Sequence, residues 1–91
     1  MKYEVVFPTQ VVRELKFLKK SEPQAFGKAM NLVAELREHP ETGTGHPKPL
    51  GGDRVGQWSR RITDKHRLTY QIDKEEKIVE VISARGHYDD K

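Results

Sequence analysis

The sequence predicts one α+β domain in the order β-α-α-β-β-β, with a two-helix hairpin packed on one face of a mainly antiparallel, twisted sheet. Three observations carry this. Apolar residues recur at helical spacing between residues 11 and 36, and the apolar period becomes two between residues 57 and 84. The length of 91 residues leaves room for one core, so residues 1–91 form a single domain.

Tyr3–Phe7 reads as a short strand ended by Pro8, which is tolerated in the first turn of the helix that follows. Val11, Val12, Leu15 and Leu18 give that helix an apolar stripe, and Arg13, Glu14, Lys16 and Lys19 are expected to face water. Ser21-Glu22-Pro23 breaks it and starts a second helix, whose stripe of Phe26, Met30, Val33 and Leu36 stops at His39-Pro40. Both stripes are core. Pro40 and the stretch 41–56 hold three of the five prolines and five of the seven glycines, the mark of a long surface loop, and such loops often carry function.

Gln57–Thr63, His66–Asp73 and Lys77–Ala84 read as three strands joined by turns at Asp64-Lys65 and Lys74-Glu75-Glu76. Parity turns Trp58, Arg60 and Ile62 toward the core and Ser59, Arg61 and Thr63 away. In the next strand Leu68, Tyr70 and Ile72 point inward, and Arg67, Thr69 and Gln71 outward. A three-residue loop pairing 63 with 67 and 62 with 68 makes both faces agree. The result is an open sheet face on which Arg61 and Arg67 lie near one another, a phosphate-binding arrangement.

Charge sharpens this picture. The net charge is +3, yet residues 46–70 carry six Lys/Arg (Lys48, Arg54, Arg60, Arg61, Lys65, Arg67) against Asp53 and Asp64, a local excess of four. Basicity concentrated between acidic flanks suits a polyanion or an acidic protein segment. The absence of cysteine excludes disulfides, thiolate metal sites and Cys nucleophiles. Histidines 39, 46, 66 and 87 lack H-E-x-x-H or H-x-x-x-H spacing, so no metal or other cofactor is expected. Without an apolar run of 18 residues or a signal-peptide core, the expected location is the cytoplasm, with no membrane association.

Gly43-Thr-Gly-His-Pro-Lys-Pro-Leu50, Trp58-Ser-Arg-Arg-Ile-Thr63, His66-Arg-Leu-Thr-Tyr70 and His87-Tyr88 occur in that order. Together they closely resemble the YoeB toxins of the RelE/ParE superfamily of bacterial toxin–antitoxin systems, along the whole chain. The resemblance implies a RelE-like fold and a ribosome-dependent endoribonuclease that cuts mRNA in the decoding site and is silenced by a cognate antitoxin. It implies attack by an RNA 2′-OH on the adjacent phosphate, with Arg67 as the catalytic arginine, His87 as general acid and Tyr88 as the tyrosine that orients substrate. Such chemistry needs no metal. Arginine's fork suits phosphate oxygens, and histidine moves protons near neutral pH. Arg61, Lys65, His46 and Arg60 are the expected RNA contacts.

One substitution stands out. Where the family carries a glutamate base this chain has Lys48, and His46 replaces a family lysine two positions earlier. Lys48 as a neutral base, His46 as a replacement base, and Lys48 as a charge stabiliser are three open roles, and a catalytically silent copy is a fourth. A non-enzymatic toxin of the gyrase-inhibiting ParE branch and a degenerate module that binds only RNA or antitoxin are competing classes. The chain also runs on past the family's terminal His-Tyr into Asp89-Asp90-Lys91. The expected partners are the ribosome, mRNA and an acidic, partly apolar antitoxin segment, YefM/Phd-like or otherwise, that covers Arg61, Arg67 and His87. The resemblance also allows a toxin homodimer.

Overall fold

A computed structural model of the chain describes residues 2–85. The elements are β1 (Glu4–Val6), α1 (Thr9–Ser21), α2 (Pro23–Leu36), β2 (Lys48–Pro49), β3 (Gln57–Arg61), β4 (Arg67–Asp73) and β5 (Ile78–Ser83). They form one mixed sheet of order β1-β5-β4-β3-β2, in which β1 runs parallel to β5 and every other pair is antiparallel. The helical hairpin covers one face of that sheet, giving the α+β class expected from the periodicities. Among the described residues no helix is long and apolar enough to cross a membrane.

Both helices begin at a proline. Pro8 caps α1, its carbonyl accepting the Val11 and Val12 amides, and Pro23 occupies the first turn of α2, where its missing N–H costs nothing. The stripes differ in detail from expectation. Glu14 is buried inside the α1 stripe of Val11, Leu15 and Leu18. It is tolerated there because its carboxylate accepts the Ala84 amide at 2.8 Å and the Gln10 side-chain amide at 3.2 Å. Val12 is exposed instead. On α2 the buried positions are Ala25, Ala29, Leu32, Val33 and Leu36, whereas Met30 is exposed and Phe26 is only partly buried. Below the helices Val5, Leu68, Tyr70, Val79, Val81 and Ala84 complete the core from the sheet.

The facing of β3 and β4 is as parity requires, but the register differs by two residues. Arg61 pairs with Arg67 and Arg60 with Leu68. The turn therefore spans residues 62–66. It closes on itself, with the Ile62 and Thr63 amides donating to the His66 carbonyl and the Thr63 hydroxyl accepting the Lys65 and His66 amides. A shift of two preserves every residue's face. The long loop contains an additional strand, β2, so the order is β-α-α-β-β-β-β. Pro49 fits because β2 is an outer strand. Pro49 pairs with Trp58, next to the ladder bond from the Leu50 amide to the Gln57 carbonyl. A register shift at Thr69/Tyr70 aligns Thr69 with Ser83 and Tyr70 with Val81.

Candidate functional site

The sheet face opposite the helices carries the cationic pair expected from sequence. Arg61 and Arg67 stand directly opposite one another across β3 and β4. One step along the strands, about 6–7 Å away, lies the row Lys48, Ser59, Thr69 and Ser83, drawn from β2, β3, β4 and β5. Directly opposed like charges on a sheet are unfavourable. Two guanidinium forks on one face present a geometry that suits the oxygens of an anion. Arg61 also meets Asp64 at 3.5 Å, but Asp64 is almost fully exposed, and exposed pairs of this kind contribute little.

Lys48 reaches this face because the preceding loop is fastened to β3. The Gly45 carbonyl accepts the Arg61 amide at 2.8 Å, setting residues 45–46 beside Arg61. Gly45 has φ +84°, and a Cβ there would lie 2.8 Å from the Arg61 carbonyl oxygen, so a side chain would push the loop off the strand. His46 follows with φ +52° and is exposed. Lys48 and His46 thus sit on the same side of the site as Arg61.

Arg60 has a different place from the RNA contact expected of it. Its side chain is fully buried. Nε donates to the Tyr70 hydroxyl at 3.0 Å, and one terminal nitrogen donates to Glu35 Oε1 at 2.8 Å and to the Thr44 carbonyl at 3.2 Å. The other donates to the Thr42 carbonyl at 2.7 Å and to the His39 carbonyl. A guanidinium with its donors engaged and no exposed surface cannot meet a phosphate. Thr44 hydrogen bonds, first from the hydroxyl and then from the amide, lower the Glu35 pKa, and Arg60 lowers it further. Burial raises that of the Tyr70 hydroxyl against the opposing pull of Arg60.

Lys65 also lies apart from the arginine pair. It sits at the tip of the β3–β4 turn, its ammonium 3.6 Å from Glu22 at the junction of the two helices. The same carboxylate takes His66 Nε2 at 3.0 Å, and hydrogen bonding to His66 lowers the Glu22 pKa. His66 is buried and its Nδ1 has no hydrogen-bond partner, so this histidine ties the turn to the helices.

Of the residues singled out from sequence, Arg61, Arg67 and Lys48 share one face with His46 at its margin, while Arg60 and Lys65 point elsewhere. His87 and Tyr88 lie outside the described residues. The hydroxyl row of Ser59, Thr69 and Ser83 was not anticipated, although alternation along β3 and β4 signals its first two members. Nor were Glu35 and Thr44, for which an arginine of inward parity, needing buried partners, was the available clue. Among the described residues no three His, Asp or Glu side chains converge as a metal site requires. The face carries the exposed Arg61 and Lys48 and the half-buried Arg67 and Thr69, with Ser59 buried between them, a set of cations that suits the backbone of a single-stranded nucleic acid.

Comparison with known proteins bears on the family and the fold. The Toxin YoeB of Mycobacterium bovis is 46% identical over 57 residues, a stretch spanning 63% of this chain and 65% of that relative, a little under two thirds of its length. The solved structure of a YoeB/ParE toxin from Agrobacterium tumefaciens superimposes with a TM-score of 0.85 at 33% identity, covering 93% of this chain and 99% of that one. A YoeB-YefM complex from Staphylococcus aureus gives a TM-score of 0.80 at 25% identity over 97% of this chain and 100% of the matched one. The model of the YoeB-like toxins of bacterial type II toxin–antitoxin systems matches residues 7–88, and the chain belongs to that family.

Proposed function

We propose that this protein is a ribosome-dependent mRNA endoribonuclease that blocks translation, and that it works in the cytoplasm, where its substrate is. The observation that carries the reading is the cationic face itself: Arg61 opposite Arg67, with Lys48 delivered one row away by β2. The RNA 2′-OH attacks the neighbouring phosphorus, forming the O2′–P bond and breaking the P–O5′ bond. The hydroxyl proton leaves to a base and another arrives at the departing O5′. Arg67 and Arg61 hold the non-bridging oxygens, whose negative charge grows in the pentavalent state, and Lys48 adds a third positive charge in place of a carboxylate base. Such preorganised donors each contribute about 10²–10³-fold. Family membership supports His87 as the acid on O5′ and Tyr88 as the group that orients the substrate.

The same face is the expected seat of a cognate antitoxin. An acidic, partly apolar segment would neutralise the local excess of positive charge and silence the toxin by covering Arg61 and Arg67. The staphylococcal relative, solved as a complex with YefM, supports a partner of that kind.

Programmed-ribosome cleavage tests the activity. Ribosomes holding a defined mRNA with an empty decoding site are mixed with the purified protein, and RNA ends are mapped by primer extension. The expected result is a cut in that site by the wild type, lost in His87→Ala and about 10²–10³-fold slower in Lys48→Ala. Lys48→Glu should bring no gain; faster cutting by that variant would show that lysine weakens a base position. Absence of any wild-type cut would refute the nuclease reading and turn attention to antitoxin titration and gyrase supercoiling.

A further inference from the structure

Residues 39–48 cross from the end of α2 to the edge of the sheet with little apolar material of their own. Pro40 is the buried residue among them, and His46 and Lys48 are exposed. A loop of this kind is held in place by polar contacts or not at all. Those contacts converge on one side chain. Arg60 binds the carbonyls of His39, Thr42 and Thr44 and the carboxylate of Glu35, while Glu35 in turn takes both the amide and the hydroxyl of Thr44, at 2.9 and 2.6 Å. Tyr70 extends the network to the Pro40 carbonyl at 2.8 Å. Outside the buried cluster Lys74 holds Glu41 at 2.8 Å. At Gly43, with φ +117°, a Cβ would sit 2.3 Å from Glu35 Oε1, so a side chain there would strain the backbone and displace the Glu35 carboxylate from Thr44 and Arg60.

We propose that Arg60 and Glu35 are positioning residues. Their ion pair, buried at Arg60 and half-buried at Glu35, latches residues 39–45 to β3 and so delivers His46 and Lys48 to the face carrying Arg61 and Arg67. The consequence for catalysis rests on the nuclease reading above; the latch does not. Arg60 is next to Arg61 in the chain yet points through the sheet to the opposite face. One strand therefore supplies an anion-binding arginine outward and the organiser of the neighbouring loop inward. Lysine cannot replace Arg60, because a single ammonium on a flexible stem does not span three carbonyls, a carboxylate and a hydroxyl. The site geometry therefore depends on a side chain that never touches substrate.

Two measurements separate the latch from the function. The first is amide hydrogen exchange of the full chain without ribosomes. In Arg60→Lys the Arg61 amide, which donates to the Gly45 carbonyl, should exchange at least tenfold faster, while amides between β4 and β5 keep their wild-type protection. Glu35→Gln, which retains an acceptor for Thr44, should give a smaller change of the same sign and serves if Arg60→Lys does not fold. Unchanged Arg61 protection in the folded variants would overturn the proposal. The second is cleavage on programmed ribosomes. Arg60→Lys should lower kcat at least tenfold with KM changed less than threefold, and should cost under threefold more when added to Lys48→Ala, because the latch acts through the lysine. Fully multiplicative losses would overturn that route. A wild type that cuts nothing would sink the nuclease reading, with the exchange measurement still deciding the latch.

Discussion

Replacing Tyr70 by Phe removes one oxygen from the centre of this network and leaves the ring in place. The hydroxyl is buried, accepts from Arg60 Nε at 3.0 Å and donates to the Pro40 carbonyl at 2.8 Å. A hydrogen bond to a charged group contributes about 1.5–3 kcal/mol and a neutral one about 0.5–1.5 kcal/mol, and a buried group left unsatisfied adds to the cost. Arg60 keeps its other partners, so the total expected for Tyr70→Phe is about 2–4 kcal/mol. In a domain of this size about 3 kcal/mol lowers Tm by about 12–24 °C. With a urea slope of about 1.5 kcal/mol per molar, a loss of about 2–4 kcal/mol lowers the midpoint by about 1.3–2.7 M at unchanged slope. The assay is paired urea and thermal unfolding of wild type and variant. A loss below about 0.5 kcal/mol would refute the reasoning, because it would mean that water or another donor replaces the hydroxyl at no cost. Alkali supplies a second check. The raised Tyr70 pKa means its contribution is intact below the ordinary value of 10.0 and is lost as pH rises through the folded value, a limb that Tyr70→Phe should lack.

Other outcomes follow from the same geometry. Gly45→Ala places a methyl 2.8 Å from the Arg61 carbonyl oxygen at φ +84°; the left-handed backbone alone costs about 1–2 kcal/mol. Tm should fall and Arg61 amide protection should be lost, and a wild-type Tm would refute the close approach. On the acid side, Glu35 and Glu22 both titrate below their ordinary value of 4.5, so their contributions are complete above that pH and disappear as pH falls through the lowered folded values. Urea midpoints measured from pH 6 to pH 3 should drop for the wild type and drop less for Glu35→Gln. Parallel curves would show that Glu35 is not linked to folding.

Much of the fold was legible because its signals are local. Pro8 and Pro23 open helices wherever the rest of the chain goes, and the switch from a period of 3.6 to a period of two needs no knowledge of partners. Met30 and Glu14 were misplaced because neighbours decide burial at the edge of a stripe. Ala29 packs more closely than Met30, and Glu14 enters the core with the Ala84 amide as its partner. In the site, sequence places Arg61 and Arg67 on one face but in a register two residues off their observed pairing, and charge counting groups Arg60 with them because it does not distinguish the two sides of a strand. The parity that pointed Arg60 inward was the better guide.

The sequence by itself determined the element types and the shared face of Arg61 and Arg67, since both depend only on backbone periodicity. Tertiary structure decided the register, the existence of β2 and the burial of Arg60. A hairpin shifted by two residues keeps the same faces, so only the bonds closing residues 62–66 select the pairing. A two-residue strand that follows Pro47 and contains Pro49 forms only when β3 supplies the ladder. Arg60 becomes a buried organiser only because Glu35, 25 positions earlier, and three loop carbonyls converge on it, and such convergence exists only once the chain has folded.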